Sequence, residues 1–201
     1  MEKIILASAS PRRRDLLARL GIEFAVHESG VDEAKLMLSG TPETQVIVSA
    51  LAKAEKIAER YPDRWTLGAD TIVVLDDEIY GKPKDRADAI RMLRQLTGNE
   101  HRVYTGLALV RFRALNGLWD KLTDWECTKV RMGSLTIREI EAYVDSGEPL
   151  DKAGAYGIQE RGAFLIQSIE GCYFNVVGLP LRKTGLLLIK AGIPIWMGDL
   201  I

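Results

Sequence analysis

Three arginines in a row, Arg12-Arg13-Arg14, follow Ser8-Ala-Ser10-Pro11. Ser10 is a good helix N-cap and Pro11 suits the first helical position. The arginines therefore stand at the positive end of a helix dipole, where each costs about a few tenths of a kcal/mol. Arg13 occupies the position where Glu would complete a capping box. A solvated arginine cluster is one explanation. The other is an anion site, because free backbone N–H groups, two hydroxyls and guanidiniums converge there. Asp70 sits inside Leu67-Gly-Ala-Asp-Thr-Ile-Val-Val74. It is either a strand-end carboxylate in water or a buried acid that needs a partner. In the second case it could bind Mg2+ or accept a proton from water. Lys53 falls within a helical segment, where lysine is ordinarily solvated, and Lys82 stands between Gly81 and Pro83. Asp32-Glu33 adds carboxylates in a loop. Asp151-Lys-Ala-Gly-Ala-Tyr-Gly-Ile-Gln159 is either a plain connection or a small-residue loop that lets backbone approach a ligand closely. Together these cations and carboxylates point to a polyphosphate substrate with a divalent metal, Mg2+ or Mn2+ rather than zinc.

Other chemistries are absent. His27 and His101 have no partner pattern, which argues against a histidine triad or a zinc site. No Gly-x4-Gly-Lys-Ser/Thr, Gly-x-Gly-x-x-Gly or His-Glu-x-x-His occurs. Lys plus Arg number 27 and Asp plus Glu 28, a net charge of −1. That balance excludes a broadly basic nucleic-acid surface or a polybasic membrane anchor, but not a local basic pocket. No basic stripe with interleaved aromatics appears, so no nucleic-acid partner is expected. No apolar run approaches the ~20 residues of a membrane span, and Ile4–Ala7 is too short for a signal-peptide core. The expected location is cytoplasmic. Cys127 and Cys172 are too few for a disulfide framework and are expected as buried reduced thiols.

The elements that must position these residues follow from periodicity and end signals. Residues 4–7 read as a buried strand. A helix runs from Ser10 to Gly21, with Leu16, Leu17 and Leu20 on its apolar face. Thr41-Pro42-Glu43 opens a second helix that stops before Pro62. Residues 65–75 are strand-like and turn at Asp76-Asp77 into Ile79-Tyr80. A helix fits 86–97, strands fit 102–112 and 118–132 around Asn116-Gly117, and a helix spans 136–146. After the loop 149–162, an antiparallel strand pair fits 163–167 and 172–177. A last helix runs from Pro180 to Lys190. This is a mixed α/β chain, since the hairpins forbid an all-parallel sheet. The 201 residues are read as one domain, an elongated mixed sheet with flanking helices in two lobes around a cleft, with no separable linker. The apolar tail Ile193-Pro-Ile-Trp-Met197 would cover a core or join a homodimer, with a slight lean to the dimer.

These segments, in this order, resemble the Maf family of nucleotide pyrophosphatases. The resemblance is carried by Ile5-Leu-Ala-Ser-Ala-Ser-Pro-Arg-Arg13, Asp32-Glu33, Leu51-Ala-Lys-Ala54, Gly68-Ala-Asp-Thr71, Gly81-Lys-Pro83 and Thr105-Gly106. It continues in Glu126-Cys-Thr-Lys-Val130, Asp151 to Gln159, and Asn175-Val-Val-Gly-Leu-Pro180. Each segment alone is weak, but the ordered set spans nearly the whole chain. The resemblance implies a fold similar to that of inosine triphosphate pyrophosphatases. It also implies metal-dependent cleavage of nucleoside triphosphates to monophosphate and pyrophosphate, with Mg2+, Mn2+ or Co2+.

By the same resemblance, Asp70 is the catalytic proton acceptor and shares the metal with Glu33, and Lys53 and Lys82 assist catalysis. Ser8, Ser10, Arg12, Arg13, Lys53 and Lys82 match phosphate-holding positions. Arg12, Thr71 and Gln159 match the specificity positions of the uridine/thymidine branch, so dTTP and UTP are the expected substrates. The 7-methyl-GTP branch differs at these positions. Glu160 stands where the family often has glycine, a departure that bears on the loop carrying Gln159. Two alternatives accompany this reading: clearance of modified pyrimidine nucleotides, and a non-catalytic nucleotide-binding role in septum formation.

Overall fold

The computed structural model describes residues 4–32, 36 and 39–195. Four helices begin where a side chain supplies an acceptor for an unpaired N–H group. Ser10 Oγ accepts from Arg13 N (3.4 Å) at the start of α1 (Pro11–Ala18). Thr41 caps α2 (Pro42–Ala58), and Asp85 caps α3 (Arg86–Leu96) through Asp88 N at 2.8 Å. A reciprocal Thr136–Glu139 capping box opens α4 (Ile137–Asp145). The remaining helices are α5 (Tyr173–Val177) and α6 (Leu181–Lys190).

Among the described residues the strands are β1 (Ile4–Leu6), β2 (Phe24–Val26), β3 (Thr66–Leu75), β4 (Glu78–Tyr80), β5 (Glu100–Arg113), β6 (Leu118–Met132) and β7 (Ile166–Glu170). They form one seven-stranded sheet in the order β2-β1-β3-β5-β6-β7, with β4 added on β3. β1 runs parallel to β2 and β3, with Ile5 opposite Ala25 and Thr66. β3 with β4 and β6 with β7 are antiparallel. The mixed sheet with flanking helices is the architecture expected from the sequence. The β3–β4 link is tight because Asp76 and Asp77 both take left-handed φ (48° and 66°), a conformation Asp tolerates.

One expected element is different. Residues 163–167 and 172–177 do not pair with each other. β7 pairs with β6 instead, and 173–177 is helical. Gly171 (φ 127°) and the Thr128–Cys172 hydrogen bonds turn the chain out of the sheet. Buried Asn175 then donates its amide to Val103 O (2.9 Å) and Thr128 Oγ1 (3.0 Å). A β-prone run of five residues is a weak prior against such anchoring. The thiols also differ from expectation: Cys127 and Cys172 are both outside disulfides but only half-buried.

The chain divides into two compact units. One comprises Met1–Asp70, Thr105–Glu126 and Gly178–Ile201, and the other Thr71–Tyr104 and Cys127–Val177. In the first unit, β3 and β5 each offer a glycine to α2. A Cβ on Gly68 would overlap the Ala50 carbonyl oxygen, and one on Gly106 would overlap the Val46 carbonyl. Small residues thus let the helix backbone touch the sheet, and Ala50, Ala54 and Ala58 close the contact with Ala108 and Val110. The second unit has its own core, including Val73, Leu93, Val103, Val130, Ile140 and Leu165. Its buried polar pair is His101 Nε2 and the Tyr156 hydroxyl, 2.7 Å apart. His101 Nδ1 has no hydrogen-bond partner among the described residues.

Gly68→Ala is expected to destabilise the protein by about 2 kcal/mol through overpacking. Gly81→Ala, which opens onto empty space, is the control and should shift stability by less than about 0.5 kcal/mol in urea unfolding. His101 titrates differently in the folded and unfolded chain, because burial lowers its pKa from 6.5 to about 4. The unfolded chain therefore binds the extra proton first as pH falls. The stability due to neutral His101 is complete above pH 6.5 and is lost as pH falls toward 4, by about 3 kcal/mol in all. Between pH 7 and 4.5 the wild type should lose more unfolding free energy than His101→Gln. Parallel curves would refute the assignment.

Candidate active site

The buried ion pair of the first unit sets the site. Lys53 on α2 is 6% exposed and Asp70 on β3 is 8% exposed. Lys53 Nζ donates to Asp70 Oδ1 at 2.6 Å. Alternation along β3 puts Gly68 and Asp70 on one face, the face that α2 covers. The glycine that admits the helix and the acid that meets its lysine are therefore two residues apart for a geometric reason. Charge-assisted hydrogen bonds of this length are strong, and breaking a buried pair leaves an uncompensated charge. Asp70 Oδ2 accepts no hydrogen bond among the described residues, so one oxygen is held and the other is available for a water or a cation. The sequence left open whether Asp70 was exposed or partnered and treated lysine on a helix as ordinarily solvated. The fold makes each the other's partner.

The start of α1 lies in the same unit. Ser8 is buried after β1, and its Oγ accepts from Ser10 N at 3.2 Å. Ser10 Oγ accepts from Arg13 N. Arg13 also has a structural duty, since its Nε donates to Gly178 O at 2.8 Å and ties the first turn of α1 to the segment before α6. Arg12 is half-buried, whereas Arg14 is exposed beside Asp15. The arginines of the run thus differ in environment, Arg12 and Arg13 half-buried and Arg14 exposed.

The other expected residues belong to the second unit. Thr71 is half-buried and, by alternation, on the opposite face of β3 from Asp70. Lys82 is exposed, while its neighbour Gly81 accepts from Gly154 N at 3.0 Å. That bond fastens the Lys82 segment to the glycine-rich loop. The loop itself is built of short 3-10 turns at Glu148–Asp151, Ala153–Ala155 and Arg161–Leu165, and Gln159 stands exposed between the last two. Gly154 has φ 69° and lies against Val73, where a Cβ would come within 2.9 Å. Lys152, which the sequence offered only as part of the loop, is buried and donates to Glu148 O at 2.6 Å and Asp151 Oδ1 at 2.8 Å.

Glu33, matched to the metal, lies outside the described residues, as do Trp196 and Met197 of the apolar tail. Asp32 is exposed. Among the described residues no three His, Cys, Asp or Glu side chains gather as a metal cage. The donor set does fit Mg2+ of the kind held by one or two carboxylates plus substrate phosphates, because Asp70 has a carboxylate oxygen to offer. No helix among the described residues is long and apolar enough to cross a membrane.

Sequence reasoning missed two features. Gly68 and Gly106 appeared only as motif letters, although their lack of a side chain is what lets α2 down onto the sheet. Glu148 was not singled out at all, although its carboxylate gathers three hydrogen bonds. No local spacing marks either one.

Asp70→Asn is expected to keep the fold and lose about two orders of magnitude or more in turnover. Lys53→Met should weaken unfolding stability by about 3 kcal/mol, because it leaves Asp70 buried and unpaired. Circular dichroism with urea melts, alongside turnover, separates the two effects. Near wild-type turnover in Asp70→Asn would remove Asp70 from the chemistry.

Comparison with known proteins gives a consistent result. The family model for Maf-like proteins matches residues 3–191. A protein named dTTP/UTP pyrophosphatase from Symbiobacterium thermophilum is 50% identical over 198 residues, covering 98% of each chain. One of the same name from Acetivibrio thermocellus is 47% identical over 201 residues, covering 97% of this chain and 98% of its own. The solved structure of a HAM1 protein from Coxiella burnetii aligns over 94% of this chain and 100% of its own, at 15% identity and a TM-score of 0.49. On the extent of the family match and the identity of full-length relatives, the chain belongs to the Maf-like protein family.

Proposed function

We propose that this chain hydrolyses dTTP and UTP at the α-phosphorus to the nucleoside monophosphate and pyrophosphate, with Mg2+, Mn2+ or Co2+ bound. The observation that supports the reading is the buried Lys53–Asp70 pair, with one carboxylate oxygen held and the other without a hydrogen bond among the described residues. It occurs in a chain half identical to full-length relatives named dTTP/UTP pyrophosphatase. Asp70 Oδ2 orients the attacking water and takes its proton. Lys53 holds the carboxylate in one orientation, so the water has one direction of approach. The hydroxyls of Ser8 and Ser10, the backbone donors of the first turn of α1, and Arg12 and Arg13 receive phosphate oxygens. Lys82 adds a cation for the phosphates. Asp70 and Glu33 would hold the divalent cation, which when bound neutralises charge on the triphosphate and on the pyrophosphate leaving group.

Base choice falls to Gln159, with Arg12 and Thr71 as its partners in specificity. A carboxamide both donates and accepts, which matches the carbonyl and N–H edge of uracil and thymine. Cytosine presents the reverse pattern, an amino donor and a ring-nitrogen acceptor, so the amide excludes it only when held in one orientation.

Pyrophosphate release from dTTP, UTP, CTP, GTP and methylated pyrimidine triphosphates, each with Mg2+, Mn2+ and Co2+, tests the proposal. The expected outcome is a kcat/KM for dTTP and UTP about tenfold or more above CTP and GTP. A stronger preference for methylated pyrimidines would place the chain in nucleotide clearance. Saturable binding without pyrophosphate release would overturn the enzyme reading in favour of a nucleotide-binding regulator of septum formation.

A further inference from the structure

The loop that carries Gln159 is held at its base by one carboxylate. Glu148 Oε2 accepts from Arg161 N at 3.0 Å, and Glu148 Oε1 accepts from Gly162 N at 3.2 Å. On the other side of the loop, the Tyr143 hydroxyl accepts from Gly157 N at 3.0 Å and donates to Glu148 Oε1 at 3.0 Å. The backbone N–H groups flanking Gln159 on both sides thus end on one connected pair of side chains. The stems also touch: a Cβ on Gly162 would overlap the Gly157 carbonyl oxygen and would come 2.5 Å from the Tyr143 hydroxyl. Residues 158–160 are left as a short excursion with Gln159 at its centre.

The carboxylate does a second task at the same atoms. Arg161 and Gly162 open the 3-10 turn Arg161–Leu165, whose N-cap, Glu160, makes no side-chain hydrogen bond to it. An anionic acceptor from another element supplies the missing cap and complements the positive end of that turn. Glu148 is itself fixed from below. Its N–H donates to Ser146 Oγ at 3.3 Å, that hydroxyl donates to Tyr143 O at 2.6 Å, and Lys152 Nζ donates to the Glu148 carbonyl. All of these residues lie in one compact unit.

We propose that Glu148 and Tyr143 are positioning residues for base selection: by clamping the backbone at 157, 161 and 162, they fix where the Gln159 amide stands. This rests on the reading of Gln159 as the residue that recognises the pyrimidine edge. Hydrogen-bonded recognition of a base depends on orientation, so a loosened loop loses discrimination while phosphate binding and water activation elsewhere continue. It also gives a reason for tolerance of Glu160, where the family often has glycine. The clamp engages N–H groups on either side of that residue and asks nothing of its side chain.

The test compares kcat and KM for UTP and CTP in the wild type, Glu148→Gln, Tyr143→Phe, Gln159→Ala and the double variant Glu148→Gln/Gln159→Ala. Glu148→Gln replaces one acceptor oxygen by an NH2 group that faces a backbone N–H. It should lower the UTP-to-CTP ratio of kcat/KM about tenfold, mainly through the KM for UTP, with kcat changed less than about threefold. Tyr143→Phe, which removes one hydroxyl from a buried ring, should act in the same direction if Glu148→Gln folds poorly. In the Gln159→Ala background, Glu148→Gln should change the ratio no further. Amide hydrogen exchange of the peptide covering 157–162 should rise in Glu148→Gln. A uniform loss of activity on both nucleotides, an additive double variant or unchanged exchange would overturn the proposal. A wild type that does not discriminate UTP from CTP would overturn the reading of Gln159 and the clamp's role with it. Discrimination that Gln159→Ala abolishes, but Glu148→Gln and Tyr143→Phe leave intact, would overturn the clamp alone.

Discussion

A helix backbone lying directly on a sheet is the constraint from which the first unit follows. Helices usually stand off a sheet by the length of their side chains. Here Gly68 on β3 and Gly106 on β5 have none, and α2 presents alanines. The gap is closed to the point where a single added methyl would strike backbone. Backbone cannot yield as the end of a flexible side chain can, which makes the contact unforgiving. Both partners are nearly buried beside that seam, and that burial gives the Lys53–Asp70 pair its character. In water such a pair would be worth little. Shielded, it becomes an interaction in which neither partner can be removed without stranding the other.

The same pair shows how a structural requirement and a chemical one share atoms. The fold needs Asp70 to have a cationic partner, because a carboxylate in an apolar strand has none nearby in sequence. Lys53 Nζ on Oδ1 meets that need and, among the described residues, leaves Oδ2 without a hydrogen bond, the oxygen that the proposed hydrolysis uses. Arg13 divides its duties in a comparable way, spending one guanidinium N–H on the Gly178 carbonyl. In the second unit the economy runs through backbone. Glu148 and Tyr143 hold N–H groups, Gly162 lets the stems meet, and Gly157 leaves room for the Lys152 side chain. Replacing a glycine α-hydrogen by a methyl group in either place would change distances in the core without changing any charge.

What could be read locally was read correctly. Ser10, Thr41, Asp85 and Thr136 are acceptors within three residues of the N–H groups they satisfy, so each of these helix starts is written in its own neighbourhood. The Asp76-Asp77 turn is equally local. Residues 173–177 were misread because their helix is stabilised by Asn175 reaching Val103 and Thr128, partners 72 and 47 residues away. Lys53 and Asp70 were picked out by motif, but their burial and mutual contact were invisible, since a contact across 17 residues requires knowing which helix face lies on which strand face. Glu148 carried no signal at all, because two of the three groups on its carboxylate are backbone N–H groups, which every residue type but proline provides.

The order of residue types along the chain was enough to establish the starts of α1 to α4, the mixed character of the sheet and the family, and to single out cations and carboxylates as candidates for phosphate. Those properties depend on short-range periodicity, on capping chemistry within a few residues, and on motif order, all of which are linear. Tertiary structure alone decided that Asp70 is buried against Lys53 with one oxygen left over, that two of the three arginines are half-buried and the third exposed, and that the Gln159 loop is gripped at its base. Those properties depend on distance and on burial. Both arise only when a helix descends onto two glycines and a distant carboxylate closes over a loop.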